Sequence, residues 1–311
     1  MNTWRRDGGP ARRVALLVLP EQDVRHYVLG HVAAVWAAAG HEVVTLDDPA
    51  RHRDADVAVL HVDLTYVPAP WRTWATRFPY TINGKAVDAA KSLTSRLRVD
   101  RGDAWDGPVI VKTDLNYGGV PEQQLARARL RRAAEGRGAF ARHRARRAAR
   151  RLAPVADPAA YPVHPHRDAV PDHIWDDPTW VVERFVPERS GDDYVLHKAW
   201  FLGERSLTWR AYADRPLVKG RWIRRREVVP TDPRIDAWRR LHGLDFGKVE
   251  YVTVNGRPEP VDLNPTPGTG SPTLPSGLPP LVESLAPGLE DLLGADVGDQ
   301  KLDVRAGSPD L

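Results

Sequence analysis

A chain of 311 residues with 42% hydrophobic composition can bury a sizeable core and reads as one large unit or two to three smaller ones. No stretch approaches the roughly eighteen apolar residues of a membrane span, and the polar start "MNTWRRDGGPARR" lacks an apolar signal region, so the expected compartment is the cytoplasm. With no cysteine, disulfides, thiolate zinc sites and a cysteine nucleophile are excluded, and the formal charge of +4 matters less than its uneven spread.

"VALLVL" at residues 14–19 reads as a buried strand, residues 22–39 as a helix ended by Gly40, and residues 41–46 and 55–63 as two more strands. No Gly-rich phosphate fingerprint follows the first strand, which predicts a Rossmann-like or flavodoxin-like α/β unit over residues 1–82 without a nucleotide site of its own. A helix is expected over residues 85–97. The apolar strand "VIVK" then delivers Lys112 and leads into a polar loop with Gly118 and Gly119.

Residues 127–151 carry eleven Arg against one acid, Glu135. With only Phe140 interleaved, a solvated helical face is favoured over a nucleic-acid footprint, and docking of an acidic substrate is a third reading. Residues 154–178, rich in Pro, His and Asp, read as a surface excursion, and His164, His166 and His173 match no strong zinc spacing. Strand-like segments follow at 180–187, 193–203 and 205–213, then a helix over 233–243 and a carboxyl-terminal helix interrupted at Pro287. Trp71, Trp74, Trp175, Trp180, Trp200, Trp209 and Trp222 are expected to be packing groups.

Between residues 246 and 265, "NG" at Asn255 and Gly256 separates two alternating segments, the strongest short-range signal for a hairpin. Alternation puts Lys248, Glu250 and Val252 on one face, and Asp262 and Asn264 share a face of the second strand. Strand pairing can bring Glu250 beside Asp262, where two carboxylates repel unless a cation lies between them. The amide oxygen of Asn264 completes an all-oxygen donor set suited to Mg²⁺.

These segments resemble the ATP-grasp superfamily, in particular its carboxylate-amine ligase branch, which includes D-alanyl-D-alanine ligases and ribosomal-protein glutamate ligases. That branch closes with an acid on one strand and Glu-x-Asn on the next; here Glu250 and "DLNPTPG" stand in those places, with the order of Glu and Asp exchanged. The resemblance spans roughly residues 80–272 and implies an α+β grasp part with a small subdomain over 83–186 and a large one over 187–311. It implies that Lys91 and Lys112 bind phosphates, that Gly118 and Gly119 fold over the β- and γ-phosphates, and that Glu183, Arg184, Phe185 and Val186 form the adenine hinge. Asp193 takes the ribose position, Lys198 and Arg210 match basic positions facing phosphate or substrate, and Lys248 matches a group that stabilises a tetrahedral intermediate.

The implied cofactors are ATP and Mg²⁺, with Mn²⁺ an alternative. The implied activity is an ADP-forming ligase that joins a carboxylate to an amine through an acyl phosphate. The implied partners are small-molecule or peptide carboxylates and amines, with neither nucleic acid nor a membrane expected, and the same resemblance allows a homodimer. Two alternatives stay open: a small-molecule kinase of the same fold, and a nucleotide-binding regulator that contacts nucleic acid through its arginines.

Overall fold

The computed structural model describes residues 10–135, 157, 160–269 and 278–294. In the amino-terminal part, β1 (Arg13–Leu17), α1 (Val28–Ala38), β2 (Glu42–Leu46), β3 (Val57–Leu60), α2 (Ala69–Ala75) and β4 (Thr81–Ile82) form a parallel sheet in the order β2-β1-β3-β4 with a helix on each face. β1 and β3 are apolar on both faces because both are covered. Val14, Leu16, Val57 and Val59 meet α1, while Ala15, Leu17, Ala58 and Leu60 meet Trp74 and Ala75 of α2. This is the α/β unit expected from the sequence.

The helix expected over 22–39 begins late. Asp23 caps a 3₁₀ turn at Val24–His26, and Tyr27 is extended, bridging to Gly268, so the regular helix starts at Val28. The helix expected over 85–97 is reduced to one turn, α3 (Lys91–Thr94). Upstream of it the backbone pairs elsewhere: Val67 N–H donates to the Val87 carbonyl and Ala89 N–H to that of Thr65. Groups bonded to a neighbouring segment are not available to a helix.

The middle of the chain runs through β5 (Val109–Thr113), α4 (Val120–Ala134), β6 (Val163–His164), α5 (Asp172–Trp175) and β7 (Trp180–Arg184), giving an antiparallel sheet β6-β5-β7. The arginine-rich stretch is helical in α4; residues 136–151 lie outside the described residues. The larger antiparallel sheet is ordered β11-β10-β9-β12-β13. It comprises β8 (Glu188–Ser190, paired with β9), β9 (Asp193–Leu202), β10 (Arg205–Ala213), β11 (Arg225–Val229), β12 (Phe246–Val254) and β13 (Arg257–Asn264). α6 (Pro233–Leu241), capped by Asp232 Oδ1 accepting from Arg234 N–H at 2.8 Å, covers one face of this sheet through Ile235 and Trp238.

After Pro287 breaks the expected carboxyl-terminal helix, α7 (Pro279–Leu285) and α8 (Gly288–Gly294) pack against α1, and Trp36 Nε1 donates to the Ala286 carbonyl at 2.8 Å. Trp74, Trp200 and Trp209 are buried, and Trp71, Trp175, Trp180 and Trp222 pack against the cores, as packing groups should. Among the described residues no helix is long and apolar enough to cross a membrane.

Candidate functional site

The hairpin of β12 and β13 turns at Asn255 and Gly256, both with positive φ (50° and 73°), the backbone that a tight two-residue turn demands. Counted outward from that turn, a regular ladder would set Glu250 against Val261 and leave Asp262 and Asn264 on the opposite face. A register shift between Glu250 and Tyr251 prevents this, because the extra residue makes Glu250 pair with Asp262 and Lys248 with Asn264. All four side chains therefore face one way. The alternation in the sequence singled out these residues, but the bulge that brings them onto one face left no signal in it.

On the neighbouring strand β9, Lys198 pairs with Glu250 and extends the same face. The resulting cleft, about 490 Å³, lies against the β6-β5-β7 sheet and is lined by Lys91, Lys112, Glu183, Lys198, Lys219, Lys248, Glu250, Asp262 and Asn264. With Asp157, which also lines the cleft, five lysines meet four acids. Glu250 Oε1 accepts from Lys248 Nζ at 2.7 Å and lies 3.3 Å from Lys198 Nζ, and Asp262 Oδ1 lies 3.8 Å from Lys91 Nζ.

Burial pushes the Glu250 carboxyl up, but Lys198, Lys248 and Lys219 outweigh it and hold the group well below the ordinary carboxylate range. Lys248 is the mirror case: burial lowers it, and Glu250 and Asp262 raise it further than that. Lys219, from the loop between β10 and β11, is pulled below the ordinary lysine value by burial, which Glu250 and Asp262 only partly counter. Sequence reasoning missed Lys219. It sits in "PLVKGRW", a loop without periodicity, and only folding brings it over the carboxylates.

On the facing sheet, Lys112 Nζ donates to Glu183 Oε2 and lies 3.4 Å from the Val261 carbonyl, so the bulge also presents a backbone oxygen to this lysine. Glu183 is 1% exposed, and its Oε1 has no hydrogen-bond partner among the described residues. Arg184, Phe185 and Val186 line the cleft beside it. The N–H groups of Arg184 and Phe185 already donate to the carbonyls of Leu97 and Pro108, which among the described residues leaves Val186 as the open end of the expected hinge.

The oxygens of Glu250, Asp262 and Asn264 are hard donors on paired strands facing one cleft, and this chemistry fits Mg²⁺ or Mn²⁺. The fit depends on the amide. Among the described residues no cluster of three or more His, Cys, Asp or Glu is placed to hold a metal, so His164, His166 and His173 form no such site. The Asn264 Oδ1 atom accepts from Thr266 N–H at 2.9 Å and lies 3.5 Å from Thr266 Oγ1, a long contact that a cation would outcompete for the second lone pair.

No protein-family model matches the chain, and no curated protein matches it. Among solved structures it matches a D-alanine–D-alanine ligase from Bacillus anthracis complexed with ATP, at 11% identity and a TM-score of 0.47, over 91% of this chain and 95% of that one. It matches the macrocyclase MdnC bound with precursor peptide MdnA from Microcystis aeruginosa MRC at 10% identity and a TM-score of 0.44, over 91% and 100%. It also matches the ATP-grasp ligase PsnB complexed with minimal precursor, Mg and ADP, at 12% identity and a TM-score of 0.43, over 88% and 96%.

Not every residue assigned from the ATP-grasp resemblance reaches the cleft. Arg210 is corrected: its register partner is His197, one residue out of phase with Lys198, so it points to the opposite face of the sheet. There it lies 3.5 Å from Glu188 and 3.8 Å from Glu227. Asp193, at the head of β9, also lies outside the cleft lining, 3.9 Å from Arg225. Gly118 and Gly119 stand just behind Asn116 and Tyr117, which do line it. Tyr117, Gly118 and Gly119 are all left-handed (φ 45°, 68° and 79°), and this sharp turn starts α4.

Proposed function

We propose that this protein is an ATP- and Mg²⁺-dependent ligase that joins a carboxylate to an amine with release of ADP and phosphate. The observation that carries this reading is the meeting of Glu250, Asp262 and Asn264 on one face beneath five lysines in a single cleft. A divalent ion held by those three oxygens would supply charge neutralisation at the phosphates. The chain's own contribution is arrangement: Lys91, Lys112, Lys198 and Lys219 take up the charge of the transferring phosphoryl group, and the Val186 end of the hinge receives the base.

A substrate carboxylate oxygen attacks the γ-phosphorus as the bond to ADP breaks, giving an acyl phosphate. An amine nitrogen then adds to the acyl carbon, phosphate leaves, and the amine gives up a proton. Lys248, which lines the cleft beside Glu250, serves as the cation for the intermediate oxyanion. No side-chain nucleophile is required, which suits a chain without cysteine. The amino-terminal parallel unit and the loop after "NPTPG" are the parts that select small-molecule or peptide substrates, and residues 270–277 of that loop lie outside the described residues.

The test is phosphate and ADP release by purified protein with Mg·ATP against pools of amino acids and short peptides. Release that requires both a carboxylate and an amine supports the ligase. Release with one substrate and a stable phosphorylated product would assign a kinase instead. Asp262→Ala should abolish turnover with the thermal transition unchanged, and full activity in that variant would remove the metal assignment.

A further inference from the structure

A chain of hydrogen bonds leads from the candidate metal ligand into the amino-terminal unit. Asn264 Oδ1 accepts from Thr266 N–H at 2.9 Å, which fixes the side-chain amide in a short turn with its own backbone. Thr266 Oγ1 donates to Asp63 Oδ1 at 2.7 Å, and Tyr27 Oη donates to Asp63 Oδ2 at 2.7 Å. Both carboxylate oxygens of Asp63 are thus engaged. The main chain repeats the connection, since Val28 N–H donates to the Pro267 carbonyl and Thr269 N–H to that of His26.

A neutral amide is the weakest of the three oxygen donors, and its value as a ligand depends on where its oxygen is held. From this connectivity we propose that Asp63 and Tyr27 are positioning residues for Asn264, acting through Thr266, so that the amino-terminal unit sets the geometry of the metal site. The proposal rests on the reading of Asn264 as a metal ligand.

Two features favour a positioning role. Burial raises the Asp63 carboxyl, with the bonds from Tyr27 and Thr266 opposing that rise, so the group is placed where burial works against its charge. Tyr27, pushed up by burial and by Asp63, remains a hydrogen-bond donor. Its ring stands edge-on to His61, 5.0 Å between centroids, and burial drives that imidazole down to about 3, so it adds no competing charge beside the carboxylate. The extended Tyr27 that cuts short the expected helix is the same residue that reaches Asp63.

The experiment measures Mn²⁺ binding by electron paramagnetic resonance, in the full chain with ATP present, for Asn264→Ala, Thr266→Val, Thr266→Ser, Asp63→Asn and Tyr27→Phe. Thr266→Val and Asp63→Asn are expected to weaken Mn²⁺ about tenfold, the lower end for residues behind a metal ligand, while Thr266→Ser restores the parent affinity. Parent-like binding in Thr266→Val and Asp63→Asn, with Asn264→Ala weakened, would overturn the relay and leave the metal site standing. Parent-like binding in Asn264→Ala would remove the metal reading and the relay together. Equal losses in Thr266→Ser and Thr266→Val would assign the effect to packing and also overturn it. If Asp63→Asn loses its thermal transition, the Thr266 pair decides.

Discussion

At the scale of the residue, Glu250 holds together a group of like charges. Lys198 and Lys248 are within 3.3 Å and 2.7 Å of its Oε1, and Lys219 faces it across the cleft. Glu250→Gln removes the first of the two carboxylates that act on Lys248 and Lys219 and leaves only Asp262, and losing one partner of a buried ion pair costs about 3–5 kcal/mol. Urea unfolding should show a loss of that order. The pH dependence follows from the same contacts. Folded Glu250 binds a proton only well below the ordinary carboxylate range, whereas in the unfolded chain it titrates near about 4.3. Between those values the unfolded chain holds more protons, so this contribution is complete above roughly pH 4.3 and fades as the pH falls toward the folded value. The stability lost on acidification should be smaller in Glu250→Gln than in the parent. For Lys219→Met we expect a raised KM for ATP with the thermal transition retained, and an unchanged KM would place this lysine outside the nucleotide site.

At the scale of the element, the hairpin was legible because two of its signals are local: alternation at period two and the Asn-Gly turn. The bulge was not, since an extra residue in one strand is defined only against its partner. Arg210 fell on the other face of the sheet for the same reason, its direction being set by pairing with His197 rather than by its own neighbours. Residues 85–97 look helical in isolation, yet the backbone of residues 87–89 is claimed by residues 65–67, and only Lys91–Thr94 turns helical. Deleting Val261 tests what the bulge does. It makes the ladder regular while Glu250 stays opposite Asp262 and Lys248 opposite Asn264, and it removes the Val261 carbonyl that lies beside Lys112. The expected result is retained Mg-dependent turnover with the far-ultraviolet circular dichroism preserved, and loss of turnover would mean that the bulge does more than set the register. Gly256→Ala acts at the turn instead: an added Cβ meets nothing within 4 Å, so only its positive φ is penalised, by about 1–2 kcal/mol, and turnover should survive.

At the scale of the whole molecule, the first and last of the three parts drawn from the sequence at residues 82 and 186 share a core, while the middle part has a cluster of its own around Val99, Val109, Val111, Val170 and Val182. One cluster unites Val14 and Leu16 of β1, Val28, Val32 and Trp36 of α1, Trp200 and Phe246 of the large sheet, and Leu281, Leu285 and Leu289 of the last helices. Those three leucines are fully buried. At about 1.5–3 kcal/mol each they approach the net stability of about 5–15 kcal/mol typical of a folded domain. The face of α1 that they cover belongs to the first unit in sequence but is completed by the end of the chain. A chain ending at residue 277 should therefore lose the native fold of the amino-terminal sheet as well as the two helices. Amide hydrogen exchange within β1 and β3 is the decisive measurement, because their protection should collapse in the truncated chain. Protection equal to that of the full chain would mean that the parallel unit folds without the carboxyl-terminal helices, and that the shared cluster follows folding and does not enforce it.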